Sequence, residues 1–202
     1  MPATLLAAAT GLLTGAALII AIGAQNAYVL RQGIKREHVL PIVVICALSD
    51  ALLICAGVAG MGALVTAAPT LVTAVRWVGA AFLVGYGLLA ARRALRPGRL
   101  VGAGAAGGVS RRTAIATVLA FTWLNPHVYL DTLVFVGSVA TTHGAQRWWF
   151  GAGAGAASVL WFAGLGYGAR LLAPLFARPR AWQILDGVIA VVMVALGAAL
   201  VA

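Results

Sequence analysis

Residues Thr122–Asp131 read TWLNPHVYLD and sit inside an otherwise apolar run, Thr113–Ala140, long enough to cross a membrane. Asn125, His127 and Asp131 are polar or ionisable, and Pro126 removes a backbone donor beside them. A charge at the centre of a bilayer costs at least roughly 2.5–3.5 kcal/mol on insertion scales. An interrupted backbone at that depth must find partners inside the protein or in a water-filled cavity. Packing alone does not account for both costs in one short segment. Function is expected here first.

The rest of the chain supports a membrane reading. It has 202 residues, 63% hydrophobic and 9% charged, with mean hydropathy +1.03, where a soluble domain carries about 25% charged residues. Lipid must solvate most of such a surface. Six apolar runs are each long enough for a spanning helix: Leu5–Tyr28, Val39–Val65, Leu71–Ala91, Thr113–Ala140, Trp148–Leu172 and Trp182–Val201. No Lys or Arg precedes the first run, so it is expected to stay as a helix rather than be cleaved as a signal peptide.

The net charge of +10 does not point to nucleic acid, because the basic residues collect in the short gaps between apolar runs. The first, third and fifth gaps hold Arg31, Lys35, Arg36, Arg92, Arg93, Arg96, Arg99, Arg111, Arg112, Arg170, Arg178 and Arg180; the second and fourth hold only Arg76 and Arg147. Twelve against two predicts that the odd gaps face the cytoplasm and that both termini lie outside. The third gap, 92–112, is also a Gly/Ala-rich linker (GRLVGAGAAGGVS), expected to be flexible and to meet anionic lipid only as a by-product of its charge.

That linker divides the chain into a first three-helix repeat, 1–91, and a second, 113–202. AQNAYVL at Ala24–Leu30 lies over NPHVYLD at Asn125–Asp131 at an offset of 101, pairing Asn26 with His127 and Tyr28 with Tyr129. An odd number of helices per half makes the two halves inverted. Inverted repeats with paired, interrupted helices are a transporter architecture that holds cargo near the midplane. The expected fold is therefore an all-α integral membrane protein of six transmembrane helices in two inverted three-helix repeats.

Asp50 lies centrally in the second run and is expected to bind a cation, a proton or both in turn. Asp131 follows His127 at i, i+4, which puts them on one helix face within hydrogen-bonding reach as a proton-relay or cargo-contact pair. Asn125 is biased away from helix by Pro126. Gly23, Gln25 and Asn26 form the opposing wall, with Gly23 as the candidate break there. Asp186 is expected at the start of the last helix as a dipole cap, and His38 and His143 as solvated gap residues. Gly151, Gly153 and Gly155 permit close helix approach. Cys46 and Cys55, nine residues apart, face opposite ways on a helix, which excludes an intrahelical disulfide. No metal-ligand spacing or nucleotide-binding motif occurs, so no cofactor is expected and ATP drive within this chain is excluded.

GAQNAYVLRQGI (Gly23–Ile34), CALSDALLICAGVAG (Cys46–Gly60) and TWLNPHVYLDTLVFVGS (Thr122–Ser138) resemble the signatures of the lysine/arginine exporter family of bacterial inner-membrane proteins. WFAGLGYGARLLAP (Trp161–Pro174) and LDGVIAVVMVALGAAL (Leu185–Leu200) resemble it less specifically. The resemblance implies export of L-lysine and/or L-arginine driven by the proton motive force. It marks Gln25, Asn26, Asp50, Asn125, His127 and Asp131 as family positions. One departure is Ala24, where the family usually has proline; it puts a break in the first half in doubt. Membrane lipids and protons are the other expected partners, with a homo-oligomer allowed by the small-residue faces. Rival readings are export of another cation or of neutral amino acids, an intramembrane enzyme using His127 and Asp131, and a carrier of thiol equivalents.

Overall fold

The computed structural model describes residues 1–20, 23–62, 67–95 and 108–201, and these are helical almost throughout. The long helices are α1 (Pro2–Ile19), α3 (Val39–Val58), α4 (Pro69–Leu95), α8 (Arg147–Gly168) and α9 (Pro179–Val201). Shorter ones are α2 (Ala24–Lys35), α5 (Arg111–Trp123), α6 (Pro126–Val128) and α7 (Gly137–Thr142), with a π-helix over Tyr129–Val136 between α6 and α7. Four of the seven prolines, Pro2, Pro69, Pro126 and Pro179, open a helix. The first helical position suits proline because its missing N–H is one that the helix would not use.

Among the described residues, five helices are long and apolar enough to cross a membrane: α1, α3, α4, α8 with its flanking turns, and α9. The 113–140 run does not add a sixth of that kind, because Leu124 and Asn125 leave helical geometry and cut it into short pieces. The basic linker also begins later than its composition suggests. Arg92 and Arg93 belong to the last turn of α4, and residues 96–107 lie outside the described part.

Two helix pairs form the frame, α4 against α9 and α1 against α8, with α3 packed between α8, the π-helix and α5. Small residues allow the contacts. On α1, a Cβ at Gly11 or Gly15 would meet the backbone of Phe150 or Ala154, and Gly153 lies as closely against Ala8. Gly155, grouped with Gly153 in the sequence, has nothing within 4 Å, so this part of the glycine cluster does not pack inside the chain. Outward-facing Leu5, Leu13, Leu48, Leu52, Ile184 and Val191 are each at least 60% exposed, a surface suited to lipid rather than water.

The gaps sort by face. Arg31, Arg93 and Asp186 from the first and third gaps and α9 meet at one end, where His38 Nε2 is 2.7 Å from Val109 O. At the other end Arg76 Nε donates to Leu200 O at 2.7 Å. His38 is thus engaged rather than merely solvated. His143 is too, lying 3.1 Å from Thr10 Oγ1 with its ring against Phe150.

The π-helix is held by backbone-level contact with α3. A Cβ at Gly57 would stand 2.7 Å from Thr132 O, and one at Gly137 would stand 2.6 Å from Gly57 O. Gly57→Val should therefore lower the thermal unfolding midpoint in detergent, by an overpacking cost of about 1–3 kcal/mol or more, while Gly155→Ala leaves it unchanged. Tryptophan fluorescence on heating measures both.

Candidate functional site

The first apolar run is broken. α1 ends at Ile19, Gly23 is extended (φ −118°, ψ 171°), and α2 starts at Ala24. The doubt raised by Ala24 is resolved: this interruption forms without proline. Asn26 Nδ2 donates to Ile19 O at 2.7 Å across it, giving a carbonyl at the end of α1 a partner that the continuing helix no longer supplies.

The second break has its own set of partners. Asn125 takes the extended geometry (φ −99°, ψ 107°) that Pro126 imposes on its predecessor, and its Oδ1 accepts from His127 N at 3.2 Å. Tyr129 Oη donates to Trp123 O at 2.7 Å, satisfying the end of α5, and Trp123 Nε1 donates to Ser49 Oγ at 3.3 Å. In a continuous helix His127 N would donate to Trp123 O; here each of these two backbone groups has a side-chain partner instead.

The two breaks meet over a cavity of about 180 Å³. Gly23, Gln25 and Asn26 line it from the first, Asn125 and Asp131 from the second, and Asp50 from α3. Asp50 is 8% exposed and accepts from Ser158 Oγ at 2.6 Å; Ser158 is fully buried. Asp131 is exposed to the cavity side. Neither aspartate is ion-paired to a basic side chain among the described residues. Two carboxylates and several amides therefore surround a space with no cation of the chain's own, which suits a ligand that brings one.

His127 is placed differently from the sequence expectation. It is exposed and lines a neighbouring cavity of about 170 Å³ with Phe82, Phe121 and Leu196, while Asp131 lines the first. No hydrogen bond joins His127 to Asp131 among the described residues. The backbone leaves α for π geometry at Tyr129, between the two, so the ordinary one-turn spacing does not carry over. Gly23, Ala24 and Asn125 border both cavities.

Asp186 is also corrected. The last helix starts at Pro179, so Asp186 lies two turns inside it rather than at its cap. It is 0% exposed and accepts from Arg31 Nε at 3.1 Å and from Arg93 Nε at 3.2 Å. Removing one partner of such a buried pair typically costs 3–5 kcal/mol, because the other is left charged and unpaired. Nearby Lys35 is 3.6 Å from Glu37, and burial, then the Arg31 charge, push the Lys35 pKa below its usual value.

Ser158 and Trp161, whose Nε1 donates to Asn26 Oδ1 at 3.2 Å, were not singled out by sequence. Ser158 had a signal, being the only serine or threonine between Trp148 and Leu172. Arg31 and Arg93 had none, since positive gap residues serve orientation equally well.

Residues 16–202 match the LysE type translocator family. The chain belongs to this family. It is 53% identical over 177 residues to a putative amino-acid transporter of Mycobacterium tuberculosis, covering 88% of each chain. It is 38% identical to the lysine exporter LysE of Corynebacterium diphtheriae (96% of this chain, 98% of the relative) and 45% identical to the arginine exporter ArgO of Yersinia enterocolitica (91% and 90%). No solved structure matches. The family is one of amino-acid exporters and not of enzymes, which removes the intramembrane-enzyme reading. In this family member, Tyr129→Phe should remove the bond that satisfies the end of α5. We expect a loss of about 1 kcal/mol of stability, read as a lower unfolding midpoint in detergent.

Proposed function

We propose that this LysE-family protein exports L-lysine and/or L-arginine across the bacterial plasma membrane in exchange for protons. The observation that carries the reading is the placement of Asp50 and Asp131 on one cavity, between two helix breaks, with no basic partner among the described residues. The carboxylates take the cationic side chain or α-ammonium group of the cargo. Asn125, Asn26 and Gln25 orient its α-amino-acid end, together with carbonyls freed at the breaks. The Nε2 of Gln25 is buried at the cavity wall, where it can donate to a cargo carboxylate.

The architecture we propose is six spans in two inverted repeats, 1–91 and 113–202, joined by the 92–112 linker. The two breaks support it, falling at Gly23 and at Leu124–Asn125, positions related by the same offset as the sequence match. The halves rock about the cavity to give alternating access. The odd gaps face the cytoplasm and both termini face outside, in keeping with the gathering of Arg31, Arg93 and Asp186 at one end. An inside-negative potential opposes the exit of a cation by about 2.3 kcal/mol per charge per 100 mV. Outward movement therefore needs coupling, and a proton carried inward on Asp50, Asp131 or His127 supplies it.

Efflux of radiolabelled lysine and arginine from proteoliposomes with an imposed pH gradient tests this reading, with leucine as the neutral control. Asp50→Asn and Asp131→Asn should each cut efflux about tenfold or more without lowering membrane abundance, as expected for loss of a charge-assisted contact. Equal efflux by both variants and the parent, or leucine efflux matching that of lysine, would sink the assignment.

A further inference from the structure

The Arg31–Asp186–Arg93 cluster has no place in the cavity chemistry, yet it lies on the route from that cavity to the end bearing the basic gaps. Arg31 follows the cavity residue Asn26 by five positions on α2, about 7.5 Å of helix rise. Between cavity and cluster stands an aromatic layer. Phe121 packs on Tyr28 and Tyr86 with ring centroids 5.5 and 5.0 Å away, and Tyr28 meets Tyr86 at 6.1 Å. Beneath it, Arg31 lies over Trp182 at 5.9 Å and Arg93 over Tyr86 at 5.4 Å, which ties the ion cluster to the plug.

The cavity extends the other way. Asp50 and Ile54 occupy the later half of α3, and Thr132 and Val136 lie beyond the second break, toward the fourth gap. Ala154, also on its wall, belongs to the first turns of α8, which starts at that gap. The cavity wall thus runs toward the end carrying the second and fourth gaps, while the aromatic layer and the ion cluster lie on the side of the odd ones.

We infer that Arg31, Asp186 and Arg93 form an ionic lock that closes the odd-gap entrance of the transport path, and that the structure is the state open to the opposite face. This rests on the alternating-access reading given above. Three features favour a lock over a fixed staple. The cluster ties α2 to the packed α4–α9 pair through Arg31 and Asp186, with Arg93 holding the same carboxylate, so a shift of α2 against that pair must break it. Well-packed apolar residues would hold a static contact at least as firmly as buried charges. And α2 both carries Arg31 and lines the cavity with its first turn, so cargo and lock act on the same short helix.

The test is cysteine accessibility in the full chain, in sealed vesicles of both orientations. Cys46→Ala and Cys55→Ala clear the background, and Thr132→Cys places a reporter on the cavity wall. A membrane-impermeant maleimide should label the parent mainly from the face of the second and fourth gaps. Asp186→Asn should raise labelling from the odd-gap face by about fivefold or more, and Asp186→Glu should restore the parent pattern. Unchanged labelling in a well-folded Asp186→Asn chain overturns the lock. If that variant fails to reach the membrane, Arg93→Gln, which keeps the Arg31–Asp186 pair, must show a smaller shift in the same direction; no shift overturns the lock. Labelling does not depend on cargo identity. A labelling shift in a protein that exports neither lysine nor arginine upholds the lock and sinks only the cargo assignment. Lysine or arginine efflux with unchanged labelling sinks only the lock.

Discussion

Inside a bilayer no water is at hand to satisfy a backbone amide, and everything distinctive in this protein follows from how two interrupted helices meet that constraint. Asn26 supplies a donor to Ile19 O at one break; Asn125 and Tyr129 supply an acceptor and a donor at the other. These side chains complete the backbone at the breaks, and Asn26 and Asn125 among them line the cavity. The polar site is therefore a by-product of structural necessity. Its chemistry comes from Asp50 and Asp131, placed beside it on elements that remain helical.

The membrane class, the apolar runs and the basic gaps were legible because hydropathy and charge are local properties. Asn125, Pro126 and Asp131 were legible because each is costly in lipid. The break before Ala24 was harder to read, since it carries no proline and its side-chain donor, Asn26, lies two residues further on. The separation of His127 from Asp131 was not legible at all. Helical spacing assumes one period, and the π-helix over Tyr129–Val136 changes it between the two residues. Asp186 misled for a related reason: its role depends on where the helix starts and on two arginines more than 90 residues away in sequence.

Charge is distributed with similar economy. Of the four acidic residues, Asp186 is neutralised inside the chain and Glu37 by Lys35 at the surface, which leaves Asp50 and Asp131 without a basic partner among the described residues. Of the fourteen basic side chains, the twelve among the described residues all stay out of ion-pairing distance of these two carboxylates. That separation leaves both carboxylates available for the cationic cargo we propose.

The two breaks differ in a way that sequence symmetry conceals. No proline lies in 20–24, and the side chain of Asn26 donates to Ile19 O across that stretch. Pro126 lacks an amide hydrogen, and its ring keeps Asn125 extended, so the other interruption is permanent. One interruption is thus bridged by a reversible side-chain hydrogen bond and the other is fixed by a covalent ring.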